Sequence, residues 1–334
     1  MRSGHDPEVT FVVLCYKHAR FIGECLDSIF AQQGSFEFEV VVVDDASPDD
    51  SADVLRRYAD PRLRVIHHAR NEGHAQTVDD GLRAARGRFV ARIDGDDRYK
   101  PGYLEAVVPI LRAQPAIGLV YGNVDLIDDT GAYSGVSLDE VHGLSNSGGD
   151  ELLRLLEKNF ICAPTVIARR EAWLQALPIP TGLAFHDWYF SVMIARRWPL
   201  FHCGGILADY RVHPGNLHTT IVRDRTEEPS IFRVLDMVFA GADPKTSLGR
   251  ELRRRRRRIY GAHHLTLARK YFGMGMTHHA RRCYLRAIAL QPRYIADWSI
   301  ARQCFGSLVG QRTYTRMKAI VRGVKEPTSS RATA

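Results

Sequence analysis

The first hundred residues alternate between short apolar runs and amphipathic stretches. Val9–Tyr16 and Phe38–Asp45 are runs rich in β-branched residues, which is typical of strands buried on both faces of a parallel sheet. Between them, "ARFIGECLDSIFAQQ" places apolar side chains at helical spacing. The runs "RVIHH" and "RFVARID" predict two more strands, separated by the helix "HAQTVDDGLRAARG". This repeated strand and helix order predicts a doubly wound α/β sheet.

Local signals also predict where helices begin and end. After the second strand, Ser47 is the predicted N-cap and Pro48 the first helical residue, followed by acids that suit the positive end of the helix dipole. Gly87 predicts the end of the next helix. Asp97 is predicted to cap the helix that begins at Pro101.

The pattern changes beyond the first hundred residues. A helix to about residue 114 and the strand "IGLVYGNVDLI" precede a Gly/Ser-rich stretch, Thr130 to Gly149, which predicts a mobile acceptor-binding loop. The segments "PTVIAR", "DWYFSVMIARRW" and "ILADYRVH" then predict a strand, an amphipathic helix and a last strand. From about residue 232 only helical signals remain, so the chain ends in an all-helical extension.

Two domains are therefore expected. Residues 1–222 form the α/β domain, with a first half at 1–98 and a second half at 99–222. Residues 223–334 form the helical extension, which contains one segment similar to a tetratricopeptide helical pair. A single pair of that type cannot bury its own apolar face, so we expect it to pack on other helices or on the α/β domain.

The bulk composition is that of an ordinary globular protein, with 334 residues, 45% of them hydrophobic and 25% charged. The N-terminus lacks an apolar stretch of the signal-peptide kind, and no run approaches the roughly 18 apolar residues of a membrane span. We therefore expect a cytoplasmic protein. The 6 cysteines are scattered, with no Cys or His cluster at zinc spacing, so reduced thiols are expected.

Charge is distributed unevenly along the chain. The net charge is +8, but residues 250–334 carry 20 basic and 3 acidic residues, which leaves the first 249 residues at −9. The run Arg253–Arg258 predicts contact with an anionic surface. The inner face of the cell membrane is the favoured partner, whereas nucleic acid is not expected because no stacking aromatic residues interleave with the run.

Carboxylates follow two of the predicted strands. Asp44 and Asp45 end the second strand, while Asp94 and Asp96 end the fourth. Since ligands of open parallel sheets bind at the carboxyl ends of the strands, the two acidic pairs are expected to converge there. Hard oxygen ligands of this kind suit Mg²⁺ or Mn²⁺, which in turn favours a phosphate-bearing substrate.

An ordered set of motifs resembles the family 2 glycosyltransferases of the GT-A fold. The set comprises "VVLCYKHARFIGECLDSI", "VVVVDDASPDDS", "RNEGHAQTVDDGLRAARGRFVARIDGDD", "HDWYF" and "YRVHPGN", and it covers roughly residues 9 to 218. The resemblance implies a mixed, mostly parallel Rossmann-like sheet flanked by helices. It also implies an inverting transferase that uses a UDP-, GDP- or dTDP-sugar.

The resemblance implies roles for individual residues. Asp45, with Asp44 beside it, would bind the nucleoside base. Asp94 would reach toward the ribose, and Asp96 would hold the Mn²⁺ or Mg²⁺ that bridges the diphosphate, with Asp94 as a further metal ligand. Asp187 would act as the general base that deprotonates the acceptor hydroxyl.

Basic side chains complete the implied site. His213 is expected to add a metal or phosphate contact, and Arg211 or Arg70 a charge-assisted contact to the donor. The acceptor would be a glycan or a lipid-linked hydroxyl in bacterial cell-surface polysaccharide synthesis.

The chain departs from the family pattern in three places. His186 stands where the family has Glu, and Asp79 stands where it has Asn. The Gln-x-x-Arg-Trp element of processive synthases is missing, since Ile194 occupies the Gln position, so a non-processive enzyme is expected.

The sequence bears on three other functions. An oxidoreductase would need a Gly-rich turn after the first strand, where this chain has "CYKHAR". A sugar-phosphate nucleotidyltransferase would also need a phosphate loop there. A non-catalytic nucleotide-sugar binding subunit that acts through its helical extension stays open as the alternative.

Overall fold

The computed structural model describes residues 6–310 of the chain. Its strands are β1 (Val9–Cys15), β2 (Phe38–Asp44), β3 (Leu63–His67), β4 (Phe89–Asp94), β5 (Arg98–Tyr99), β6 (Leu119–Ile127), β7 (Tyr133–Ser137), β8 (Ser147–Gly149), β9 (Ile167–Arg169) and β10 (Leu200–Arg211). The helices of the first unit are α1 (Ile22–Phe30), α2 (Ser51–Arg56), α3 (His74–Ala84), α4 (Tyr103–Ala113), α5 (Leu152–Glu157), α6 (Arg170–Leu174) and α7 (Asp187–Ala195).

The strands form one mixed sheet in the order β3-β2-β1-β4-β9-β6-β10-β5. The first four strands run parallel, and β9 enters antiparallel between β4 and β6. Strands β1 and β2 are buried along their whole length, because their apolar residues face helices on both sides of the sheet. The predicted mixed, mostly parallel sheet flanked by helices is confirmed.

Three local predictions were wrong. Helix α2 begins at Ser51 with Asp50 as its N-cap, rather than at Ser47 and Pro48. Asp97 does not cap the next helix, since α4 begins at Tyr103 and Gly102 precedes it without a side-chain cap. The Thr130–Gly149 segment is not merely a loop, because β7 pairs with β6 and β8 pairs with β10.

The second compact unit begins at Leu217, whereas the sequence placed the boundary after residue 222. Its helices are α8 (Leu217–Arg223), α9 (Glu227–Ala240), α10 (Ser247–Gly273), α11 (Thr277–Leu290) and α12 (Trp298–Val309). Small buried residues, Ala268 in α10 and Ala280 in α11, suit the close packing of these two helices. No helix within residues 6–310 is both long and apolar enough to cross a membrane.

Gly81 provides a test of how tightly α3 packs on the sheet. A Cβ atom at Gly81 would lie 2.4 Å from Val12 Cγ1 and 3.3 Å from Val43 Cγ2. We expect Gly81→Ala to lower the free energy of unfolding by about 1–3 kcal/mol through overpacking, despite the better helix propensity of alanine. Urea denaturation followed by circular dichroism measures the change.

The matched control is Gly23→Ala in α1, where the added Cβ would make an ordinary 3.5 Å contact with Tyr58 Oη. That variant should be neutral or up to about 1 kcal/mol more stable. Equal effects of the two substitutions would contradict the close packing of α3.

Candidate active site

Two adjacent carboxylates at the end of β2 are buried and hydrogen-bonded within the protein. Asp45 accepts the backbone N–H groups of Glu72 at 2.7 Å and Gly73 at 2.9 Å, and its Oδ1 lies 2.7 Å from His68 Nδ1. Asp44 accepts the Ser47 N–H at 3.2 Å. These bonds fix the loop before α3 against the end of β2. The contact of both carboxylates with a nucleoside base stays a prediction.

Asp94, at the end of β4, is paired with an arginine that no sequence motif indicated. Arg92 Nη2 lies 2.8 Å from Asp94 Oδ1 and 3.0 Å from Oδ2, and Arg92 is buried. Burial alone would raise the pKa of Asp94, but Arg92 and His74 outweigh it and hold that pKa well below its usual range. Asp94 is therefore a permanent anion.

A pair of stacked histidines extends this ion pair toward α7. His74 Nε2 lies 3.5 Å from Asp94 Oδ1, while His74 Nδ1 lies 2.8 Å from His186 Nδ1. The two rings stack with centroids 5.0 Å apart. Burial and the neighbouring His74 lower the pKa of His186 to about 3, so its ring is neutral. The residue that replaces the family's Glu is thus an uncharged partner of His74.

Asp187 is the first residue of α7, directly after His186 as N-cap. Its carboxylate is half-buried, and Asn159 Nδ2 lies 3.4 Å from its Oδ2. Burial alone would lower the pKa of Arg92. The nearby carboxylates of Asp94 and, to a smaller extent, Asp187 outweigh burial and raise that pKa above its usual value. Asp187 therefore lies within electrostatic reach of the Arg92–Asp94 pair, at the same edge of the sheet.

Asp96 faces imidazole rings on both sides. Its Oδ2 lies 3.1 Å from His213 Nε2 and 3.9 Å from His18 Nε2. His213 also packs on the Phe21 ring, with centroids 5.2 Å apart. A carboxylate oxygen beside an imidazole nitrogen is a donor pair that fits a divalent cation. Asp96 and His213 fit the implied metal, whereas Asp94 is held by Arg92 and is not brought into the same set.

Asp97 and Arg211 form the buried support beneath this loop. Asp97 Oδ1 accepts the Arg211 backbone N–H at 2.8 Å, and burial together with Asp96 raises the pKa of Asp97 well above its usual range. Arg211 donates to the Asp96 carbonyl at 2.7 Å and to Glu24 Oε2 at 2.7 Å. Its side chain is 0% exposed, with its guanidinium over Phe21. This placement makes Arg211 an internal support for the Asp96 loop and does not favour direct contact with a donor.

Arg70 is placed quite differently from Arg211. Its side chain is 81% exposed, and Nε donates to Glu72 Oε1 at 2.8 Å, on the loop that Asp45 holds. Neither its exposure nor this ion pair tests the predicted contact with the donor, which stays a prediction.

Comparison with known proteins defines the family. A family profile described as "Glycosyl transferase family 2" matches residues 10–177. The chain belongs to this family. An uncharacterised glycosyltransferase of Nostoc sp. is 25% identical over 285 residues, 76% of this chain and 83% of the relative. The succinoglycan biosynthesis protein ExoO of Rhizobium meliloti is 38% identical over 121 residues, which is 36% of this chain and 34% of ExoO.

Solved structures show the same fold. TarS 1–349 of S. aureus, in complex with UDP-GlcNAc, aligns with a TM-score of 0.60 at 15% identity, covering 96% of this chain and 93% of that one. The mannosyltransferase PcManGT of Pyrobaculum calidifontis, in complex with GDP-Man and Mn²⁺, aligns with a TM-score of 0.56 at 20% identity over 95% and 87% of the two chains. The fold and the family together establish a family 2 glycosyltransferase.

The neutral state of His186 makes the stability of this site dependent on pH. In the unfolded chain this histidine has the ordinary pKa of 6.5, so below that value the unfolded state binds a proton that the folded state excludes. Stability is therefore lost as pH falls from about 6.5, by about 2 kcal/mol at pH 5. His186→Gln should reduce the loss between pH 7 and pH 5 by that amount, as measured by urea unfolding.

The control for this experiment is His278→Gln, which replaces an exposed histidine in α11. This variant should lose as much stability between pH 7 and pH 5 as the wild type does. An identical loss of stability in the wild type and in the His186 variant would contradict the burial of a neutral ring at this position.

Proposed function

We propose that the enzyme is a metal-dependent, inverting and non-processive transferase that moves a sugar from a nucleotide-diphosphate sugar to an acceptor hydroxyl. One observation carries this proposal: Asp187 begins α7 directly after His186, which contacts Asp94 at the end of β4 through His74. Asp96, paired with His213, lies two residues beyond Asp94. The family and the UDP-GlcNAc and GDP-Man complexes of the structural neighbours support a donor of this class.

Asp187 is proposed as the general base. The acceptor hydroxyl is a poor nucleophile, so its proton must pass to a carboxylate as its oxygen attacks the anomeric carbon. The new C–O bond forms on the face opposite the diphosphate while the bond to the diphosphate oxygen breaks, which inverts the anomeric centre. Neutral His186 cannot compete for that proton at physiological pH, because burial and His74 keep its pKa at about 3.

The donor is held by the acids at the ends of β2 and β4. Ionised Asp94 suits hydrogen bonds from ribose hydroxyls, since Arg92 fixes its orientation. Asp45 and Asp44 are proposed to contact the base. Asp96 and His213 would hold Mn²⁺ or Mg²⁺, which would neutralise the charge that gathers on the leaving diphosphate.

The acceptor is proposed to be a glycan or a lipid-linked hydroxyl in polysaccharide synthesis. The name of the succinoglycan relative supports this class of pathway. A binding subunit without catalysis is the alternative, in which Asp187 would have no acceptor to deprotonate.

Two substitutions separate binding of the donor from turnover. Asp96→Asn should abolish Mn²⁺-dependent binding of a nucleoside diphosphate and turnover together, because a neutral amide is a poor ligand for a hard cation. Asp187→Asn should keep that binding and lower turnover by about 10²–10⁴-fold, the usual contribution of a general base. Calorimetric titration with UDP and GDP, and release of nucleotide from a panel of nucleotide sugars, measure the two effects.

Unchanged nucleotide binding by the Asp96 variant would sink the metal assignment. Full turnover by the Asp187 variant would sink the base assignment. If the wild type binds nucleotide sugars but no acceptor supports turnover, the result would support the alternative of a non-catalytic binding subunit.

We also propose that the arginine run of α10 contacts an anionic membrane surface. Five of the six guanidinium-bearing residues are exposed: Arg253, Arg254, Arg256, Arg257 and Arg258. Each basic residue near such a surface contributes about 1 kcal/mol of attraction. This arrangement would keep the catalytic unit close to a lipid-linked acceptor.

Replacing Arg253, Arg254 and Arg258 with Gln should lower partitioning onto vesicles that contain phosphatidylserine by roughly a hundredfold at physiological salt. Flotation of the full chain on a density gradient measures the partitioning. The charge-matched control replaces three exposed arginines of the first unit, Arg56, Arg57 and Arg64, with Gln. Equal losses in both triple variants would show that the run has no special role.

A further inference from the structure

A buried cluster of metal-ligating side chains shares no residue with the proposed nucleotide site. Asp139 and His142 come from the segment between β7 and β8, and His202 comes from β10. One ligand atom from each of the three lies within 4.8 Å of the others, and within residues 6–310 no other such group of three occurs. Neither the sequence motifs nor the proposed reaction gives this cluster a role.

His202 is oriented as a metal ligand would be. The residue is 0% exposed, and its Nδ1 lies 2.9 Å from the Ser145 carbonyl oxygen. Nδ1 therefore carries the proton, and the lone pair lies on Nε2, which has no hydrogen-bond partner. Burial lowers the pKa of His202, so the ring is neutral. A histidine whose second nitrogen donates to a backbone carbonyl is the usual arrangement at metal sites.

His142 presents a conflict that a metal ion would remove. Its Nδ1 lies 2.6 Å from Asp139 Oδ2, while its Nε2 lies 3.4 Å from Glu151 Oε1 without a hydrogen bond. If the neutral ring donates Nδ1–H to Asp139, its Nε2 lone pair faces a second carboxylate. A cation on Nδ1 would move the proton to Nε2, where Glu151 accepts it.

Asp139 supplies the third ligand atom. Its Oδ1 accepts the Val141 N–H at 2.7 Å, which leaves Oδ2 for other partners. Tyr121 Oη lies 3.2 Å from that Oδ2 and 3.4 Å from His142 Nδ1. Ligand atoms around tetrahedral zinc lie about 3.3 Å apart, given bonds of about 2.0–2.1 Å. The Asp139–His142 pair needs to separate by less than about 1 Å to reach this spacing.

We propose that Asp139 Oδ2, His142 Nδ1 and His202 Nε2 bind a divalent transition metal of the zinc class. Two imidazoles and one carboxylate match Zn²⁺, whereas Mg²⁺ prefers oxygen ligands alone. Tyr121 Oη, which contacts Asp139 Oδ2 and His142 Nδ1, or a water molecule would supply a fourth ligand.

The metal would fasten the segment between β7 and β8 to the core of the first unit. This segment already lies close to β10, because a Cβ at Gly204 would come 2.1 Å from the Leu144 carbonyl oxygen. Asn123 reinforces the contact by donating to the Gly143 carbonyl at 2.7 Å. Since the sequence places the acceptor loop here, the metal would stabilise the surface on which an acceptor is expected to bind.

Metal titration of the full chain tests the proposal. Protein stripped with EDTA and desalted should bind about one equivalent of Zn²⁺ by calorimetry, and Co²⁺ should give the visible absorption of a tetrahedral site. His202→Gln and the nearly isosteric Asp139→Asn should each lower the affinity by more than about tenfold, with circular dichroism confirming that both variants fold. Zn²⁺ should also raise the melting temperature of the wild type but not of these variants.

Two controls distinguish this site from other metal binding. Asp96→Asn, in the proposed nucleotide site, and His278→Gln, on the surface of α11, should both keep the zinc equivalent. The proposal is overturned if the stripped wild type binds no Zn²⁺ or Co²⁺. It is equally overturned if Asp96→Asn abolishes binding and the His202 and Asp139 variants do not.

Discussion

Negatively charged carboxylates converge at the carboxyl edge of the sheet, and the rest of the site depends on how their mutual repulsion is offset. Six carboxylates gather at or near the ends of β2 and β4 and the start of α7: Asp44, Asp45, Asp94, Asp96, Asp97 and Asp187. Backbone amides and histidines hold the pair on β2, Arg92 holds Asp94, and a raised pKa favours the neutral form of Asp97. Asp96 instead lies beside imidazole rings, and this is where we propose that a cation binds.

The sheet could be predicted from sequence because its determinants are local. Runs of β-branched residues predict buried parallel strands, and the carboxyl ends of parallel strands must lie at one edge. The same local view failed for Asp97. Its contact with Arg211 joins residues 114 positions apart, so a helix cap was a more obvious interpretation than a buried pair.

Other features left weaker signals. Arg92 is the one charged residue inside the apolar core of "RFVARID", two positions before Asp94 and thus on the same face of β4. That spacing could have revealed their ion pair. The Asp139 cluster could not have been found in this way, because His202 lies on a distant strand and no motif spacing connects it with His142. Residues that are brought together only by the order of the strands in the sheet cannot be found from the spacing of a sequence motif.

We propose that a divalent cation bound to Asp96 links the protein to the diphosphate of its donor. Crystals grown with UDP or GDP and Mn²⁺, measured at the manganese absorption edge, test it directly. We expect an anomalous peak at bonding distance from Asp96 and from both phosphates of the nucleotide. A bound nucleotide with no such peak beside Asp96 would contradict it.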